Sequence, residues 1–84
     1  MYMKEAKVKV KKQIKETKLG TILREARDKK GLNVTKVAIM LNVSQPYLSY
    51  IEKGRIKSPD ARLLYKLSLL YKLKIKDLIL AIED

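Results

Sequence analysis

The stretch Val43-Ser44-Gln45-Pro46-Tyr47-Leu48-Ser49-Tyr50-Ile51-Glu52-Lys53-Gly54 decides how this chain is read. Leu48 and Ile51 can anchor one face of a short helix, which leaves Gln45, Pro46, Ser49 and Tyr50 pointing away from that face. The solvated side of a short helix ordinarily carries Lys and Glu. Here it carries side chains suited to base edges: Gln can bond adenine bidentately, a hydroxyl donates or accepts, and Pro and Tyr can pack on a thymine methyl.

Immediately upstream, Val34, Val37, Ala38 and Leu41 follow the i, i+3, i+4, i+7 spacing of a helix with one buried face. Asn33 is the expected N-cap of that helix and Ser44 of the next, with a tight turn around Asn42, a residue type that tolerates the left-handed conformation. Two short helices joined this closely form a helix-turn-helix. Small Ala38 sits where the second helix must cross the first at close range.

Together with Leu19-Gly20, Ile22, Arg27, Gly31-Leu32-Asn33, Val37-Ala38, Leu41, Val43-Ser44, Leu48-Ser49, Ile51-Glu52-Lys53-Gly54, Pro59, Leu67, Ile75 and Leu78, this pattern resembles the phage repressor/Cro-like (XRE) helix-turn-helix family. The resemblance runs from about residue 17 to 80 without an evident gap. It implies an all-α fold, a compact five-helix bundle, and a third helix that enters the major groove of DNA. A fold alone does not fix what is bound.

Composition points the same way. The chain has 84 residues and a formal charge of +11, a field that attracts polyanions. Seven Lys against Glu5 and Glu16 fall in residues 1–18, and the rest of the excess lies on the domain. There is no Cys and no His, which excludes disulfides, thiol chemistry, His-ligated zinc and imidazole catalysis. No Gly-rich phosphate loop, membrane-length apolar run or signal peptide is evident. The expectation is a soluble, cytoplasmic, nucleoid-associated protein that is not an enzyme and needs no cofactor, metal, membrane or small-molecule substrate.

Residues 18–84 are expected to form the domain and residues 1–17 a basic N-terminal arm. In the arm, Ala6, Val8 and Val10 alternate with Lys as in a strand, yet Ala6, Val10 and Ile14 also share a helical face. An extended arm, a short strand paired with a second copy, and a helix all stay open. The first helix is expected at about 17–30, stopped by Gly31, with Ile22, Leu23 and Ala26 inward. The fourth should span about 59–72, opened by Ser58-Pro59-Asp60, and the fifth about Ile75 to Glu83, with Ile75, Leu78, Ile79 and Ile82 along one stripe. Relatives usually have Gly where Lys72 stands, which suggests a differently shaped turn.

For base contact the candidates are Gln45, Pro46, Ser49 and Tyr50. Gln45 leads because it lies in the first turn of the recognition helix, with solvation of the helix start as its plainer reading; Pro46 can equally serve only to start the helix. For phosphate contact the candidates are Asn33, Ser44, Tyr47, Arg55 and Lys57, although one of the two tyrosines can instead tuck its ring against the domain. The resemblance assigns Arg27 and Glu52 to an internal salt bridge that ties the first helix to the end of the recognition helix. Val34 replaces a Gln that relatives often use to bond a phosphate and buttress the recognition helix. Leu69, Ile79, Leu80 and Ile82 exceed what so small a core needs, and are the candidate homodimer interface; a core simply rich in Leu and Ile is the alternative.

These readings converge on a sequence-specific double-stranded DNA-binding transcriptional regulator, a dimeric repressor on a roughly palindromic operator. The rivals are a protein-interaction module, either an antitoxin or a bridging coactivator, and a weakly specific nucleic-acid binder that relies on the Lys-rich arm.

Overall fold

The computed structural model describes residues 16–82, and within them the chain is all-helical. Its five helices are α1 (Lys18–Lys29), α2 (Val34–Leu41), α3 (Gln45–Glu52), α4 (Ala61–Tyr71) and α5 (Ile75–Leu80). Helix α1 packs on α3 and α4, α2 packs on α3, and α5 closes against α4. The centre is filled by Leu19, Leu23, Val37, Leu48, Ile51, Leu64, Leu67 and Leu78, all essentially inaccessible to solvent. Leu48 and Ile51 thus bury the inner face of α3, and Val37 with Ala38 that of α2.

Local chemistry sets the helix starts. Thr17 caps α1 by accepting the Gly20 amide at 2.9 Å, Asn33 caps α2 through the Lys36 amide at 2.8 Å, and Ser44 caps α3 through the Tyr47 amide at 3.1 Å. The expected start of α4 at Ser58-Pro59 is corrected to Ala61. Pro59 is buried and precedes the helix. The Tyr47 hydroxyl accepts the Asp60 amide at 3.1 Å, Asp60 stays out of the helical conformation at ψ 134°, and its carboxylate caps the Leu63 amide at 3.1 Å. Helix α5 stops at Leu80; its expected end at Glu83 lies outside the described residues, as does most of the arm.

Four of the five helix ends share one device. A residue at positive φ turns the chain: Gly31 at 70°, Asn42 at 58°, Gly54 at 84° and Lys72 at 57°. The next amide then returns to a carbonyl five residues back: Leu32 to Arg27, Val43 to Ala38, Arg55 to Tyr50 and Leu73 to Ser68, at 2.9 to 3.2 Å. This is the Schellman arrangement. The different turn expected at Lys72 does not occur. Lys72 itself adopts the left-handed conformation, at a cost of about 1 kcal/mol for a residue with a Cβ.

Candidate nucleic-acid interface

Helix α3 is held from behind at its C-terminal end. A Cβ built on Gly20 would lie 2.6 Å from the carbonyl oxygens of both Ile51 and Glu52, so α1 touches the backbone of α3 directly and only glycine fits. About two turns further along α1, Arg27 donates from Nε and Nη2 to the two Glu52 carboxylate oxygens at 2.8 and 3.0 Å, and from Nη1 to the Leu32 carbonyl at 2.8 Å. Glu52 is only 6% exposed. Its hydrogen bonds to Arg27 are the main cause of the raised Arg27 pKa, with burial opposing them.

Tyr71 closes this region from α4. Its ring belongs to the core, and its hydroxyl is buried without a hydrogen-bond partner among the described residues. Burial, reinforced by the negative charge of Glu52 and opposed by Arg27, pushes the Tyr71 pKa up to about 12.

With its inner face locked in this way, α3 turns a ridge outward. Pro46, Tyr50 and Lys53 follow the i, i+4, i+7 rule and are exposed, flanked by half-buried Gln45 and Ser49. Gln45 Nε2 lies 3.4 Å from Ser49 Oγ, a weak contact that leaves both side chains with hydrogen-bonding capacity directed outward. Pro46 sits in the first turn, where it displaces no helical hydrogen bond. Lys53 extends the ridge; the same periodicity that picks out Pro46 and Tyr50 reaches it.

The remaining candidates surround the ridge. Asn33 and Ser44 are exposed caps at the starts of α2 and α3, and Arg55 and Lys57 are exposed in the loop after α3. Tyr47 is different. Its ring packs against the core and its hydroxyl oxygen holds the Asp60 amide, so it braces α3 against α4, with only the hydroxyl proton left to donate. Val34 lines a cleft of about 320 Å³ beside α3, together with Arg24, Ser49 and Lys53. Arg24 is engaged there by Glu16 at 3.4 Å, and Glu16 is held below the usual carboxylate range, first by the Thr21 hydroxyl at 2.8 Å and then by Arg24.

Of the proposed subunit-contact residues, Leu69, Ile79 and Leu80 are 61%, 47% and 70% exposed. Ile82, expected with them, instead packs against the core beyond the end of α5. Tyr65 and Ile75 are also exposed on α4 and α5, and Ile39 and Met40 on α2. Among the described residues no cluster of acidic side chains could hold a metal, and no helix is long and apolar enough to cross a membrane.

Residues 23–78 match the Helix-turn-helix family model. The HTH-type transcriptional regulator DdrOP3 of Deinococcus deserti is 36% identical over 66 residues, which cover 79% of this chain and 50% of that protein. The HTH-type transcriptional regulator SlrR of Bacillus subtilis is 33% identical over 60 residues, covering 71% of this chain and 40% of that protein. The matches thus span half or less of these curated relatives. On the family match, the geometry of α2 and α3 and these similarities, the chain belongs to the helix-turn-helix family of the phage repressor/Cro type.

Proposed function

We propose that this protein is a DNA-binding transcriptional regulator, not an enzyme, and that it reads double-stranded DNA with α3 in the major groove. The observation that carries the reading is the outward ridge of Pro46, Tyr50 and Lys53 flanked by Gln45 and Ser49, on a helix whose opposite face is clamped by Gly20 and the Arg27–Glu52 pair. A helix held so rigidly can present side chains to base edges with little loss of freedom on binding. The +11 charge supplies long-range attraction to the phosphate backbone. Asn33, Ser44, Arg55 and Lys57 are the phosphate contacts in this reading, and Gln45 leads the base contacts. Both similar proteins named above are transcriptional regulators.

In the same reading the protein is a dimeric repressor, joined through the exposed apolar side chains of α4 and α5, on an operator with two inverted half-sites. Residues 18–84 form the recognition domain, and the six Lys of residues 1–15 make the segment before it a basic arm along the DNA. Selection from a pool of random duplexes tests this. It should enrich a short element repeated in inverted orientation, centres about one helical turn apart. A pool that stays random after repeated rounds would refute sequence-specific recognition, and a single half-site would refute the dimer.

A further inference from the structure

Tyr50 and Arg55 are brought together by the way α3 ends. Gly54, at φ 84°, turns the chain; its amide reaches the Ile51 carbonyl at 3.2 Å, and the Arg55 and Ile56 amides both reach the Tyr50 carbonyl, at 2.9 and 3.3 Å. This closure places the side chain after the glycine over the one five residues earlier, where an apolar pair commonly sits. Here the pair is a cation on a ring: Arg55 Cζ lies 5.6 Å from the Tyr50 ring centroid, within cation–π range. The two other arginines nearest α3, Arg24 and Arg27, are engaged by Glu16, Asp28 and Glu52. Among the described residues no carboxylate forms a salt bridge with Arg55.

From this we infer that Tyr50 is a positioning residue: its ring holds the Arg55 guanidinium ready for a DNA phosphate, and its contribution to binding passes through Arg55 instead of through a base. The inference rests on the duplex-binding reading above. A guanidinium stacked on a ring keeps its in-plane N–H donors free for phosphate oxygens. A side chain already held in place gives up less freedom on contact than a free one. The ring, not the hydroxyl, supplies the platform, so Phe should replace Tyr and Ala should not.

The test compares the parent, Tyr50→Phe, Tyr50→Ala, Arg55→Ala and the Tyr50→Ala/Arg55→Ala double variant, by fluorescence anisotropy with a selected and a random duplex over a range of salt. Arg55→Ala should weaken both duplexes and reduce the slope of log K against log salt by about 0.9. Tyr50→Ala should weaken both by about two- to fivefold, Tyr50→Phe should match the parent, and the double variant should bind no worse than Arg55→Ala. Losses that add in the double variant, or a Tyr50→Ala loss confined to the selected duplex, would overturn the inference and make Tyr50 a direct base contact. The stack is also read without DNA, as a ring-current upfield shift of the Arg55 side-chain NMR signals that persists in Tyr50→Phe and vanishes in Tyr50→Ala. Absence of that shift in the parent overturns the inference alone; a parent that shows it but binds neither duplex overturns the duplex-binding reading and the role with it.

Discussion

Arg27 and Glu52, 25 residues apart in sequence, meet in a two-pronged ion pair of 2.8 and 3.0 Å that fixes the C-terminal turn of α3 to α1. The third prong of the same guanidinium, on the Leu32 carbonyl, ties in the segment leading to α2. One side chain therefore sets the positions of three helices relative to one another.

Replacing Arg27 by Met should destabilise the fold by about 3 kcal/mol, because it strands a carboxylate that is 6% exposed. Adding Glu52→Leu should return much of that loss, since the cost arises from the uncompensated charge. Urea titration of the two variants and the parent measures both effects. Equal midpoints for the parent and Arg27→Met would contradict the structural role.

The buried Tyr71 hydroxyl, without a partner among the described residues, makes Tyr71→Phe a stabilising change of about 1 kcal/mol near neutral pH. The pH dependence has a definite sign. The folded-state pKa, pushed up to about 12, exceeds the ordinary value of 10, so this group's contribution is complete below about pH 10 and declines as pH rises toward 12. The stability advantage of the Phe variant should therefore widen by about 2 kcal/mol over that window. Denaturant midpoints at pH 8 and pH 11.5 provide the comparison; a constant difference would argue against the burial of this hydroxyl.

At Lys72, φ of 57° places a residue with a Cβ in a conformation that glycine adopts freely. Lys72→Gly should stabilise by about 0.5 kcal/mol or less, with the relief of strain largely offset by the greater freedom of Gly in the unfolded chain. A lower thermal midpoint in the variant would contradict this.

Glu at both Ile79 and Leu80 should leave the fold intact, since both side chains are exposed, and should shift a dimer to a monomer. Sedimentation equilibrium of the parent and variant decides it. A parent that is monomeric at high concentration removes the proposed interface.

Much of this architecture is legible in the sequence because it is local. The caps Asn33 and Ser44, the turn at Asn42 and the inward pair Leu48 and Ile51 each follow from residues within a few positions of one another. The misread features depend on distant parts of the chain. Asp60 replaces Ser58 as the cap because a tyrosine 13 residues earlier holds its amide. Ile82 leaves the stripe of Ile79 because α5 ends at Leu80, so helical spacing no longer applies beyond it. Gly20 enters the sequence pattern as one of the residues shared with the family, but the close approach that requires a glycine there is visible only once α3 is laid across it. The outward side chains of α3 are identifiable from spacing, whereas the Tyr50–Arg55 cation–π contact requires the turn at Gly54 to be seen in space.

Whether α3 reads bases is decided by the affinity of Gln45→Ala for the selected duplex and for a random duplex at the same salt concentration. Gln45 stands in the first turn of α3, and among the described residues its side chain makes only a long contact to Ser49. Base reading by α3 requires a loss of about 1–3 kcal/mol on the selected duplex and almost none on the random one. Equal losses on both duplexes, or no loss on either, would contradict it.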